Sequence, residues 1–206
     1  MITHPGAMEE FGIDEIPEEL FTQSKHIHVS SIFLQPKLKK GLSDLFKKAK
    51  EYGLTTSLDP QWDPNEKWEF DYKNILPNVD VFLPNKEEIL HLTSTHDIKL
   101  AYEKIKDYAN KVIVKMGIEG ATIFTKTKEV YLTSFRNENV IDAIGAGDSF
   151  DAGFIYKFIH NSTLEECLNF ANLVGAINTT AAGGTGAFES FEKIKEIANN
   201  KFGVKI

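Results

Sequence analysis

Three apolar runs in the first half of the chain have the length of buried strands: HIHVSSIFL (26–34), LTTSLD (54–59) and VDVFLP (79–84). Between the first two lies PKLKKGLSDLFKKAKEYG (36–53). Its Leu38, Leu42, Leu45, Phe46 and Ala49 recur at helical spacing, with lysines on the opposite face. Pro36 suits the first turn of that helix and Gly53 its C-terminal cap. A short helix and a longer one carry the pattern to about residue 110. KVIVKMG (111–117), GATIFTKT (120–127), EVYLTSF (129–135) and NVIDA (139–143) then read as strands, and three helices follow at about 146–161, 163–182 and 190–202. Residues 1–25 and 60–68 read as irregular. Early strands separated by helices predict right-handed crossovers and an α/β fold whose mainly parallel sheet is covered on both faces. The strands from 111 to 135, joined by short glycine-containing turns, predict an antiparallel edge.

Composition narrows the function classes. Of 206 residues, 42% are hydrophobic, enough for a core of one large α/β unit or two small ones, and the net charge is −7. An acidic chain with no Lys/Arg stripe argues against nucleic acid and against a membrane surface as partners. No apolar run reaches the ~18 residues of a membrane span, and the first residues lack a signal-peptide pattern. Cys167 is the only cysteine, which suits a reducing, cytoplasmic setting, and its helical context reads as core filler. His26 and His28 alternate on one strand face without a third metal ligand nearby, so a half-buried polar face is the expectation.

The informative stretch is NVIDAIGAGDSFDAGF (139–154). Small residues at Gly145, Ala146 and Gly147, where the pattern passes from strand to helix, let backbone approach a ligand closely. The first amides of a helix have no helical acceptor and face the positive end of its dipole, which makes an anion site suited to phosphate. Asp148, at the edge of such a site, could take a proton from an attacking hydroxyl. The same residues also read as an ordinary turn with an aspartate cap. Neither a Walker loop nor a dinucleotide fingerprint is present: no GKS or GKT follows, and Phe150 stands where the last glycine of G-x-G-x-x-G would be.

IDAIGAGDSFDAGF resembles the C-terminal signature D-T-x-G-A-G-D-x-F of the ribokinase-like, PfkB-type carbohydrate kinases. The resemblance implies a three-layer α/β/α fold and phosphoryl transfer from ATP to a hydroxyl of a small carbohydrate or sugar acid. It makes Asp148 the base that faces the sugar and assigns the amides of Gly145, Ala146 and Gly147 to the anion hole. LPNKEEILHLT (83–93) resembles the family's N-x-x-E motif, which implies that Asn85 and Glu88 organise Mg²⁺ through water; from the residues alone, Asn85 caps a helix. VKMGIEGA (114–121) resembles its nucleotide-contacting turn, with Lys115, Gly117 and Gly120 beside ATP; without the family, Lys115 points to solvent. NFANLVGAINTTAAGGTGAF (169–188) resembles the segment beside the adenine, with Asn172 in contact and Gly175 and Ala176 allowing close helix packing. The 181–187 loop, with Asp142 and Ile144, resembles a monovalent-cation loop, with K⁺ held by backbone carbonyls.

Elsewhere the resemblance is looser. SLDPQWDPNEKW (57–68) is similar to a D-x-N-x-R stretch of the family through Asp59 and Trp68, but Gln61, Trp62 and Asp63 stand where the arginine is expected, and Trp62 reads as packing. Ser30 falls near a substrate-side position. Asp151 is expected on a helix surface. Residues 1–25 are expected to be a residual lid or linker and 26–206 the nucleotide-binding core, since THPGAMEEF resembles the exit of a lid strand and the family's earlier strands, β-lid and sugar-anchoring residues are not in this sequence. The expectation is therefore a fragment with little turnover alone, or a non-catalytic nucleotide-binding module, with homodimers confined to a full-length protein.

Overall fold

The computed structural model describes His4 and residues 6–206; Thr3 and Pro5 of the THPGAMEEF stretch lie outside the described residues. The elements follow in the order α1 (Glu18–Gln23), β1 (His26–Ser30), α2 (Pro36–Glu51), β2 (Thr55–Asp59), α3 (Tyr72–Ile75), β3 (Val81–Phe82), α4 (Lys86–Thr93), α5 (Ile98–Ile105), β4 (Lys111–Lys115), β5 (Ala121–Thr125), β6 (Glu129–Leu132), α6 (Ala146–Ile159), α7 (Leu164–Asn178) and α8 (Phe191–Phe202). The strands hydrogen-bond in the order β1-β2-β3-β4-β5-β6. The first three pairs are parallel, with His26 opposite Thr55, Leu58 opposite Phe82 and Phe82 opposite Val112. β4, β5 and β6 are joined by connections too short for a crossover, so those neighbours run antiparallel. The result is the mixed, mostly parallel α/β sheet that the strand pattern predicts.

The chain divides into two compact units: residues 1–114 with 124–128, and residues 115–123 with 129–206. In the first unit, α2 buries Leu38, Leu42, Leu45, Phe46 and Ala49, the face its periodicity predicts, and touches β2. Val81, Phe82, Leu83, Val112 and Ile113 are among the other buried residues of this unit. Residues before β1 are not irregular throughout: α1 forms there and buries Phe21. In the second unit, α6 packs along α7, because small residues let the helices close up. A Cβ on Gly153 would come within 3.0 Å of the Val174 side chain, and one on Gly175 within 3.3 Å of the Ala146 carbonyl. Cys167 lies fully inside, where burial pushes its thiol up to about 11, as suits a core residue.

Two predicted strands are corrected. The run 26–34 stops being a strand at Ser30, because Ser31 turns to φ 56° and a 3₁₀ turn follows over Ile32–Leu34. Residues 139–143 form no strand. Val140 and Ile141 are 58% and 62% exposed, so their hydrophobicity does not mark a buried strand. Instead the Ile141 amide donates to the Thr179 carbonyl at 2.9 Å, and Asn137 Nδ2 donates to Thr179 Oγ1 at 2.8 Å, strapping this segment to the end of α7.

Candidate functional site

The turn before α6 is built from interlocking backbone contacts. Gly145 is the N-cap of α6 with φ 77°, and a Cβ there would lie 2.8 Å from Gly184 Cα. Only glycine meets both demands. Asp142 holds the approach to this turn: Oδ1 accepts from the Ile144 amide and Oδ2 from the Gly183 amide, each at 2.9 Å. These two bonds hold its carboxyl below the usual carboxylate range. Asn178, 2% exposed, donates from Nδ2 to the Gly184 carbonyl at 2.6 Å and to Ser149 Oγ at 3.0 Å. Asp142 and Ile144 thus lie beside the 181–187 loop. The amide of Ala146, however, donates to the Ala143 carbonyl at 3.1 Å, so that member of the assigned anion hole is engaged within the turn. Asp148 sits in the first turn of α6 and is exposed.

Beside this turn lies a cavity of about 310 Å³ within the second unit. Lys115, Gly117, Gly120, Ala146, Gly147 and Asn172, six of the residues singled out from the sequence, share its wall. Phe135, Val140, Phe150 and Ala176 make the wall largely apolar with a few polar groups, the usual character of a small-molecule pocket. Two of its glycines are required by the backbone. Gly120, with φ 101°, lies so close to the end of β6 that a Cβ would collide with the Leu132 carbonyl, and Gly117 has φ 58°. Asn172 is 5% exposed and donates from Nδ2 toward the Leu132 and Thr133 carbonyls at 3.4 and 3.3 Å. Residues 134–137 and Thr179 also line the cavity and were not singled out; the polar RNEN (136–139) within an apolar pattern could have marked Arg136 and Asn137.

Asp151 departs from expectation, and Lys115 departs only from the reading that sets the family resemblance aside. Lys115 does not point to solvent, and Asp151 is not on the helix surface. Their side chains are 11% and 3% exposed, and Nζ lies 3.0 and 3.1 Å from the two carboxylate oxygens. Neither residue's pattern predicts this pair, because they are 36 positions apart in sequence.

The remaining candidates belong to the first unit. Asn85 caps α4. Its amide nitrogens reach Glu88 Oε2 (backbone, 2.8 Å) and Oε1 (side chain, 2.6 Å), while the Glu88 amide donates to Asn85 Oδ1 at 2.9 Å. The capping role expected from the residues alone is therefore present, with Glu88 buried. Ser30 ends β1, and its carbonyl accepts from Gln35 Nε2 at 2.8 Å. Where an arginine is expected, the buried Asp63 accepts from the amides of Asn65, Lys67 and Trp68, closing its own loop. Trp62 packs edge-on against Trp68 at 4.8 Å while remaining 46% exposed.

Comparison with known proteins bears on the family and the fold. Residues 1–190 match the sequence profile of the pfkB family carbohydrate kinases. The chain is 32% identical over 179 residues to an uncharacterized sugar kinase of Archaeoglobus fulgidus, covering 85% of this chain and 69% of that protein. It is 29% identical over 189 residues to an ATP-dependent ribose-1-phosphate kinase of Halopiger xanaduensis, covering 91% and 59%. Its fold matches that of an Arabidopsis thaliana ribokinase complexed with ribose and ATP, with a TM-score of 0.72 at 22% identity, over 88% of this chain and 59% of that one. The chain thus spans about three fifths to two thirds of the length of these proteins. The profile match over nearly the whole chain, together with the GAGD turn at a helix start, shows that the chain belongs to the pfkB family of carbohydrate kinases.

Proposed function

We propose that this chain carries the nucleotide-binding and proton-abstracting part of an ATP-dependent sugar kinase. The observation that carries the reading is the shared wall: a lysine, two turn glycines and the first residues of α6 close on one largely apolar cavity. The apolar part suits the adenine base. The first-turn amides of Gly147 and Asp148, with the positive end of the α6 dipole, suit phosphate. Asp148 stands one residue beyond Gly147 on the exposed side of the same turn, in reach of solvent from which an acceptor arrives. In this reading the Asp148 carboxylate takes the proton of a carbohydrate hydroxyl. The freed oxygen bonds to the γ-phosphorus as the bond from that phosphorus to the β,γ-bridging oxygen breaks, and ADP leaves. The chain's amides stabilise charge on the transferring group rather than forming bonds to it.

Mg²⁺, when bound with ATP, supplies charge neutralisation on the phosphates. Asn85 and Glu88 would organise it through water, each Glu88 oxygen keeping acceptor capacity beyond its one bond in the capping box. The reading is tested with Asp148→Asn in the protein as its gene encodes it, using ADP release in the presence of pentoses, hexoses and sugar acids, and ADP binding by calorimetry. Turnover is expected to fall by ~10²-fold or more with ADP affinity retained. Undiminished turnover would remove the base assignment. Failure of the wild-type chain to bind ADP at all would remove the nucleotide site.

A further inference from the structure

The buried Lys115–Asp151 pair is weak evidence for stability. Replacing such a pair by well-packed apolar residues is often neutral or stabilising, so its presence needs another reason. Its place in the fold supplies one. Lys115 is the last residue of β4 and lines the cavity, whereas Asp151 lies four residues, about one helical turn, beyond Gly147 on α6. Helical side chains lean toward the N-terminus, so Asp151 projects back over the first turn. Gly147 has no side chain there, and an ideal Cβ on it would lie 3.9 Å from Lys115 Nζ. The ammonium is therefore set beside the α-carbon of the helix's second residue. That is an unfavourable place for a lone cation, since the dipole is positive at this end. Asp151 offsets this, with both oxygens within 3.1 Å of Nζ, and at 3% exposure it presents little bare charge of its own.

We propose that Asp151 is a positioning residue, fixing the Lys115 ammonium in the cavity wall beside Gly147 so that it meets the phosphate chain of a bound nucleoside di- or triphosphate. The proposal rests on the nucleotide-site reading above. It separates phosphate recognition from base recognition: Lys115 and Asp151 serve the first, the apolar wall the second. Without the Asp151 carboxylate, the ammonium loses the two contacts that fix it beside Gly147.

The test measures binding of ADP and of adenosine to the 206-residue chain for wild type, Asp151→Asn, Asp151→Glu, Lys115→Met and the Asp151→Asn/Lys115→Met double variant. Folding of each is checked by circular dichroism and a cooperative melt. Asp151→Asn is expected to weaken ADP about tenfold while adenosine binding stays within about twofold. Lys115→Met should match it, the double variant should lose no more than either alone, and Asp151→Glu should recover part of the loss. ADP binding unchanged in Asp151→Asn, or additive losses in the double variant, would overturn the positioning role while leaving the nucleotide site standing. Equal weakening of ADP and adenosine would overturn it in favour of a purely structural pair. A wild-type chain that binds neither ligand would overturn both this role and the reading beneath it.

Discussion

Gly145 and Gly183 share a left-handed backbone but not a neighbourhood. Gly145 has φ 77° and a virtual Cβ 2.8 Å from Gly184 Cα, whereas Gly183 has φ 71° and open space around it. Gly183→Ala should therefore cost only the backbone strain, about 1 kcal/mol. Gly145→Ala adds a backbone clash that no side-chain rotation relieves, and should cost ~2 kcal/mol or more. Urea midpoints of the two variants check this, and equal losses would refute the close approach of the two loops. At this scale the sequence was legible where a residue's job is local. The glycines of the GAGD turn and the capping asparagine at Asn85 could be read from their immediate neighbours. The partner of Lys115 could not, because a pair 36 positions apart leaves no mark on periodicity.

Among the elements, the pairing of β1 with β2 carries a testable pH dependence. His26 bonds through Nδ1 to Thr55 Oγ1 and through Nε2 to Ser57 Oγ, each at 2.8 Å, and His28 Nδ1 shares Ser57 Oγ at 2.7 Å. Burial first, and then the neighbouring His28, push the His26 imidazole down to about 4. Between that value and the ordinary 6.5, the unfolded chain binds a proton that the folded chain refuses, so stability is full above pH 6.5 and falls with pH toward 4. After allowance for partial exposure the loss is about 2 kcal/mol. Denaturant midpoints at pH 7.5 and 4.5 should differ by less in His26→Gln than in wild type; an unchanged difference would show that the imidazole titrates normally. His26 is half-buried as expected of this polar face, whereas His28 is exposed. The 139–143 segment shows the opposite outcome, since exposed hydrophobic residues such as Val140 and Ile141 carry the same pattern as residues that face a core.

For the whole molecule, the cavity belongs to the second unit alone, so nucleotide binding should protect that unit first. With ADP at a hundred times its dissociation constant, linkage gives about 2.7 kcal/mol of added stability. Hydrogen exchange should slow in residues 115–120, 132–147 and 172–179; slowing confined to residues before 110 would contradict the location of the site. The sequence by itself determined the α/β class, the order of most elements, the apolar face of α2 and the glycine turn at the start of α6. Each of these rests on periodicity or on a backbone conformation that only certain residues adopt, and such signals are written in neighbouring positions. The tertiary structure alone decided that six of those residues share one cavity wall, that 139–143 is a strap rather than a strand, and that Lys115 is held by Asp151. These depend on distances between segments far apart in the chain, which are set by how helices and strands pack and not by any local pattern.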